Sequence, residues 1–578
     1  MKRLTLFFRI LPLLALMLGA GPLYAQVEKQ VEVTKSYIPE VPSASKLALQ
    51  PNFVDTVKIQ PEIDYPITPR SLSTQLTPRT FRPATVTYWE FNRPSPFYLK
   101  GGVGYPWRSV ADFYAATQNP STGYALLYVN HRGDYAPIRN DAGRRPNASQ
   151  MQNRIGAAAG TYLGRHTAEA DLYYDNRLLH RYGGADPTNE EFVGSRVNFG
   201  EAALTLRLGD DFENNEKVNF DLQAYGRYVH DNSKAPIRLE ARQIDAGAKG
   251  VLGFHWGEHR FHLQARFDGA WGAGDMDAYD NLNLWIGARY RFQTEGVEAE
   301  VGADWLHSSI STADGKRRFN YPLPHLRFQF NLGEGAFVPF IEFDGEMERG
   351  DFRSLLQENP YTITGLALGK NTIRYNLRVG AAGEVGSRFS YRFFLAMTWY
   401  ENARYWFGIN YPNTQGVRNF LQFGVVQARQ NTPSLGGELK WRPGQDWLIE
   451  FLLRGYMHDF MGYVGDFKLA GGRPALESGL KVSYNHRRFS VGVGADLQST
   501  RHWTNICLGA DYEQSGRLQV ENYHVPITVD LGCWFDYHLS RSITLFLEGE
   551  NLLNQRLFDW ANYPLQGIGF MAGVKMNF

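Results

Sequence analysis

From Phe97 onward, apolar and polar residues alternate nearly one for one, and this period of two constrains the chain more than any other feature. Leu282, Leu284, Ile286, Ala288, Tyr290 and Phe292 interleave with Asn281, Asn283, Trp285, Gly287, Arg289 and Arg291. Successive side chains of a strand point to opposite faces, so such a segment has one greasy face and one wet face. The pattern returns in Phe261, Leu263, Ala265 and Phe267, in Val297, Ala299, Val301, Ala303 and Trp305, and in Phe489, Val491, Val493, Ala495 and Leu497. The chain divides into 22 such strands, from 97–105 to 567–578.

Alternation alone also suits a soluble sandwich, and the connections discriminate between the two. Every second one is tight, as at Gly164–Arg165, Gly257–Glu258, Thr294–Glu295, Gly333–Gly335, Ser387–Arg388 and Pro443–Gln445. Those between are mostly long: 133–151, 177–194, 308–321, 349–370, 403–418, 458–474, 500–522 and 552–566. Short turns on one side and long loops on the other mark a transmembrane barrel, with the short turns in the periplasm. The expected fold is therefore all-β: a transmembrane antiparallel β-barrel of about 22 strands. Composition agrees. Aromatic residues reach 14%, with 32 Tyr, 37 Phe and 13 Trp, enough for interfacial girdles. Mean hydropathy is −0.38, too polar for a bundle of membrane helices, whereas only alternate residues of a barrel strand meet lipid. The net charge of +1 gives no reason to expect nucleic acid as a partner.

The first residues read as an export signal: Lys2, Arg3 and Arg9, an apolar run from Ile10 to Leu18, then small residues up to Ala25. The division that follows is a signal peptide over 1–25, a Pro-rich extended periplasmic arm over 26–96, and the barrel over 97–578. The arm holds ten prolines and keeps no period of 2 or 3.6, so it cannot form an independent core. Its dispersed apolar residues, among them Val31, Val33, Tyr37, Phe53 and Trp89, suit docking one at a time on a partner. The two surfaces open to it are the lumen wall and a periplasmic partner or rim. Its apolar anchors favour the second.

The last strand carries the most specific signal. Ile568, Phe570, Ala572, Val574, Met576 and Phe578 form one apolar face that ends on a terminal aromatic. Phe570, Val574, Met576 and Phe578 are expected to form the membrane-insertion signal, read by the barrel-assembly machinery of a Gram-negative outer membrane. The lipid of that membrane is the other expected partner.

Within this frame the sequence resembles the barrel of TonB-dependent outer-membrane receptors. The matching residues are Val529-Asp530-Leu531, the run Ser542 to Asn554 with its Glu550-Asn551-Leu552, Tyr563-Pro564, and Gly573-Val574-Lys575-Met576-Asn577-Phe578. A second match is Gly436-Gly437-Glu438-Leu439-Lys440-Trp441-Arg442-Pro443. The resemblance covers roughly 97–578 and implies 22 strands. It also implies a plug domain between signal and barrel, for which 26–96 leaves no room. Val31-Glu32-Val33-Thr34 resembles the family's TonB-binding strand or is an ordinary extended segment, and TonB is not expected as a partner.

Soluble-enzyme motifs are missing: there is no phosphate loop, CxxC pair or HExxH. His262 and His325 are expected to face the lumen as wall residues. Glu342, Asp344, Glu346 and Glu348 alternate along one strand, and Arg289, Arg291, Arg327, Arg378, Arg392 and Arg454 are placed to neutralise them. Cys507 and Cys533 are expected as two free thiols. No Ser/His/Asp set can be assembled from spacing, so the chain is read as a non-enzyme with no cofactor and no metal. The expected function is a transport, pore or receptor component of the outer membrane. The alternative is a structural or assembly subunit whose arm binds a periplasmic or outer-membrane protein.

Overall fold

The computed structural model describes residues 95–118, 121–141, 143–183, 195–210, 217–233, 240–333, 335–410, 421–507 and 519–578. The signal peptide and nearly all of the arm, with Val31, Val33, Tyr37, Phe53 and Trp89, lie outside the described residues.

Twenty-two strands form one closed antiparallel ring. They are β1 Phe97–Tyr105, β2 Arg108–Ala116, β3 Gly123–Asp134, β4 Gln150–Leu163, β5 His166–Arg181, β6 Ser195–Gly209, β7 Val218–Asp231, β8 Ala241–Trp256, β9 His259–Gly274, β10 Asp280–Gln293 and β11 Val297–Thr312. The second half comprises β12 Gly315–Phe330, β13 Val338–Glu348, β14 Thr372–Val385, β15 Phe389–Asn410, β16 Leu421–Trp441, β17 Trp447–Tyr456, β18 Leu476–His486, β19 Phe489–Gln498, β20 Thr528–His538, β21 Ile543–Glu550 and β22 Gly569–Asn577. Each strand pairs with its neighbours in sequence, and β1 closes the ring on β22 from Tyr98↔Asn577 to Tyr105↔Phe570. At the seam, Phe97 and Phe578 exchange two backbone hydrogen bonds of 3.0 Å and their rings stack at 5.4 Å.

The period of two is expressed as burial. In β10, Leu284 and Ile286 are 41% and 59% exposed, while Asn281, Asn283 and Trp285 on the opposite face are at most 6% exposed. The outward face is thus the apolar one, as lipid requires. Exposed aromatics cluster where strands meet the short turns: Trp256, Phe330, Phe337, Trp441, Trp447 and Tyr537. This is one interfacial girdle, and the chain is an outer-membrane barrel. Cys533 faces outward with the apolar residues of β20 and is a free thiol; the side chain of Cys507 lies outside the described residues.

Several segments expected as loops carry strand, among them 500–522, which holds the hairpin Arg501–Cys507 with Gln519–Val525; two others extend the barrel ladder. Segment 308–321 is not a loop: β11 and β12 continue through it to a turn at Ala313–Asp314. Segment 403–418 likewise begins as strand, since β15 runs to Asn410. In both cases the backbone ladder outlasts the lipid-facing alternation. A third feature is local. The β12–β13 ladder has only five pairs, from His325↔Asp344 to Gln329↔Phe340. Pro322 and Pro324 sit just above it and have no N–H to donate.

Candidate functional site

The lumen wall is charged and internally neutralised. On β13, Glu342 accepts from Arg327 at 3.2 Å and from Arg392 at 3.1 Å, with Arg378 at 3.4 Å. Asp344 lies 3.6 Å from His325, Glu346 pairs with Arg374, and Glu348 lies 3.8 Å from Arg404. The expected acidic ladder therefore exists, and an arginine or histidine faces each rung. Arg289 reaches Asp304 at 3.3 Å, Arg291 reaches Glu298 at 2.6 Å and Arg454 reaches Glu438 at 3.1 Å. His325 also bonds Asp304 at 2.8 Å, and His262 is an inward wall residue whose ring lies 6.3 Å from that of His255. Among the described residues, no group of three or more His, Cys, Asp or Glu is arranged to hold a metal.

The long loops build something the sequence does not announce. Loops after β3, β5, β13, β19 and β21 converge at the mouth on one apolar core. It contains Ile138, Tyr182, Phe352, Leu355, Tyr361, Trp503, Phe558, Trp560 and Tyr563, all buried. Tyr361 stacks on Tyr563 at 3.7 Å, and Tyr182 packs edge-on against both. The Tyr182 hydroxyl donates to the Pro564 carbonyl at 2.9 Å. Trp560 meets Trp406 at 5.4 Å and Phe423 at 5.3 Å. Full burial of each such side chain is worth about 1.5–3 kcal/mol, so this is a folded lid.

Its centre is the β13–β14 loop, with helix α1 over Phe352–Glu358. Asp351 caps the helix, accepting from the Ser354 N–H at 2.8 Å. Leu355 and Leu356 face the core and Arg353 faces the wall. Arg353 grips Glu201 of β6 with two bonds, 2.7 and 2.9 Å. Arg349 reaches Asp245 of β8 at 2.7 Å. Asn371 donates to Asn283 of β10 at 2.8 Å and to Ser308 of β11 at 3.0 Å. Far from these strands, the Thr362 hydroxyl donates to the Phe423 carbonyl of β16 at 3.0 Å, and Trp406 of β15 donates to Glu358 at 2.6 Å. One loop thus straps the mouth from β6 to β16. Asp141 ties the remaining pieces together, accepting from Tyr523 at 2.9 Å and Asn562 at 2.8 Å.

Burial sets the protonation of the lid. The Asp559 carboxyl is buried and pushed up to about 6, with Arg501 opposing the shift. Burial also pushes Arg501 down to about 10. The hydroxyls of Tyr182, Tyr361 and Tyr563 are held well above the usual tyrosine range by the same desolvation.

The residues singled out on the last strand all face outward. Val574 and Met576 lie in the row that Phe570, at 42% exposure, begins and Phe578, at 58%, ends.

No family model matches the sequence, and no curated protein matches it. Solved structures do. The FrpB iron transporter from Neisseria meningitidis (F3-3 variant) superposes with a TM-score of 0.66 at 12% identity, covering 84% of this chain and 82% of that one. The copper transporter OprC gives 0.60 at 13% identity, with 83% and 80% covered. The ferric-catecholate import receptor Fiu from K12 E. coli (closed form) gives 0.60 at 11%, with 84% and 82% covered. The residue pattern of β20–β22, the 22-strand ring and these superpositions agree: the chain has the barrel fold of the TonB-dependent outer-membrane receptors.

Proposed function

We propose that this chain is a receptor-type transport or pore component of the outer membrane, gated at its extracellular mouth by its own loops. The observation that carries the reading is the β13–β14 loop strapped from β6 to β16 over a wall lined with ion pairs. An unfilled barrel of this strand number leaves a wide water channel, so a sealing element is needed. The names of FrpB and OprC, an iron and a copper transporter, support transport as the class; the cargo of this chain is a separate question. Planar-bilayer recording tests it. The full chain gives rare openings, and Arg349→Ala with Arg353→Ala, which cuts the strap from β6 and β8, gives sustained large conductance. No conductance from either protein overturns the gated-pore reading.

A second reading is favoured by the lid's aromatic core, which suits permanent closure: a structural or assembly subunit. Here the chain divides into signal peptide 1–25, arm 26–96 and barrel 97–578, and the arm, through Val31, Val33, Tyr37, Phe53 and Trp89, holds a periplasmic or outer-membrane partner. Stable co-purification of one protein with the full chain, without transport, selects this reading. In both readings Phe570, Val574, Met576 and Phe578 serve as the insertion signal.

A further inference from the structure

The outward face of β2, β3 and β4 carries a polar cluster that neither reading uses. Ser109, His131 and Asn153 occupy three adjacent strands and point toward lipid, in the same rows as the exposed Leu127, Val129 and Ile155. Asn153 is paired directly with His131 in the β3–β4 ladder, and Ser109 is paired with Gly133, two residues further along β3. The Asn153 Oδ1 lies 2.6 Å from the His131 Nδ1. The Ser109 Oγ lies 2.8 Å from the His131 Nε2. A carbonyl oxygen can only accept, so Nδ1 carries the proton. The lone pair of Nε2 is then left to accept, and the serine hydroxyl at 2.8 Å is the nearer of the two hydroxyls facing it.

A fourth group completes the set. Opposite Ser109 stands Gly133, and the Tyr135 ring lies where a Gly133 side chain would be: a Cβ there would come within 2.3 Å of the Tyr135 hydroxyl. The open space brings that hydroxyl to 3.1 Å from the Ser109 Oγ and 3.2 Å from the His131 Nε2. A second hydroxyl therefore stands within hydrogen-bond distance of both the Ser109 Oγ and the His131 Nε2.

We propose that Ser109, His131, Asn153 and Tyr135 form a serine-hydrolase centre that cleaves a fatty-acyl ester of a membrane lipid. Nucleophile, base and orienting group in sequence are the logic of a catalytic triad, which recurs on unrelated folds. His131 Nε2 takes the Ser109 proton as Oγ bonds the acyl carbon. The carbonyl oxygen gathers the negative charge and accepts from Tyr135. When the carbonyl re-forms, the C–O bond to the lipid alcohol breaks, and that alcohol leaves with the proton from His131. Water, deprotonated by His131, then attacks the acyl-serine; the fatty acid departs and Ser109 regains its proton. No redox change occurs. Ser109 and His131 are the catalytic residues, and Asn153 is a positioning residue that holds the tautomer.

Location selects the substrate class. The cluster lies near the extracellular end of β2, just past Tyr105 at the end of β1 and Trp107 in the turn, which are 66% and 77% exposed. Exposed aromatics mark the membrane–water interface, and lipid ester groups lie at that depth. The site opens to the leaflet and not to the lumen, so an acyl ester reaches it by lateral diffusion.

The test uses the purified full chain, first with a long-alkyl fluorophosphonate, which captures an activated serine. The adduct should map to Ser109, vanish in Ser109→Ala, and form about 10²–10⁴-fold more slowly in His131→Gln. Asn153→Ala should lose labelling and Asn153→Asp should restore it, a pattern that a purely structural amide does not produce. Fatty-acid release is then measured from phosphatidylglycerol vesicles and from lipid A. Release from the first alone assigns a glycerophospholipid, and release from the second alone assigns a surface glycolipid. With heat-modifiable mobility showing a folded barrel, absence of the Ser109 adduct, or an adduct without release from either lipid, overturns the proposal.

Discussion

Asp559 offers a quantitative handle on the lid. It lies in the β21–β22 loop, and its Oδ1 has no hydrogen-bond partner among the described residues. Burial in the loop cluster raises its carboxyl from 3.8, the value of an exposed carboxyl and so of an opened lid, to about 6. A carboxyl raised by closure favours the closed state at low pH. Below about pH 4 the proton is bound in both states and the stabilisation is fully present. Between about pH 4 and 6 the open state ionises and the closed state does not, so closure weakens. Above about 6 both are ionised and the loss is constant. At 1.36 kcal/mol per pKa unit the loss is about 3 kcal/mol, or roughly a hundredfold in the open population. Arg501 stays protonated throughout this range, pushed down only to about 10. Asp559→Asn keeps the shape and removes the titration. The variant should match the wild type at pH 4 and close about a hundredfold more tightly at pH 7. Hydrogen exchange of the 558–563 amides, corrected for the intrinsic pH dependence, reads the opening directly. Parallel pH curves for the two proteins, or a looser variant at pH 7, would refute the argument.

Three further outcomes are expected. Deleting Phe578, or changing it to Asp, should abolish outer-membrane accumulation on an immunoblot of fractionated membranes. Its stacking on Phe97 is worth about 1 kcal/mol and the two backbone hydrogen bonds of the seam about 1 kcal/mol each, so heat-modifiable mobility of the residual protein is read alongside to separate failed assembly from lower stability. Cysteines at Asp314 and Glu258, both exposed, should react with an impermeant maleimide from the outside and only after permeabilisation, respectively; same-side labelling contradicts the topology. Removing 26–90 should spare barrel insertion and abolish partner co-purification. Sensitisation to large antibiotics would instead make the arm a plug.

The strands are legible in sequence because lipid on one side and water on the other force a period of two, which Leu284 and Ile286 against Asn283 and Trp285 display. Legibility stops where the lipid stops. Ser308, Ser309, Thr312 and Lys316–Arg318 continue the β11–β12 ladder above the membrane with no apolar face to betray it. The lid is illegible for a different reason. Its aromatics, Tyr182, Tyr361, Trp503, Trp560 and Tyr563, come from four different loops with no shared period, and only the ring brings them together. The lumen ladder of β13 lies between these extremes: parity gives the facing of Glu342, while its arginine partners depend on register. Ser109, His131 and Asn153 are invisible to spacing for the same reason, since each sits on a different strand.

The seam between β1 and β22 has a consequence for assembly kinetics. Tyr98 and Asn577 pair across almost the whole described chain, and closing a loop of that length in one step would cost about 5 kcal/mol in chain entropy. Hairpins added in order avoid that step, because each tight turn closes only a short loop. What remains at the end is the meeting of two edges on a curving sheet, and the gap between them depends on curvature and not on chain length. That meeting tolerates little bulk. A Cβ at Gly104 would lie 2.3 Å from the Phe570 carbonyl, and one at Gly573 would lie 2.1 Å from the Gly101 carbonyl. A side chain at either position would have to push the two edge backbones apart, so a bulky substitution there is expected to leave two unpaired edges open to other chains.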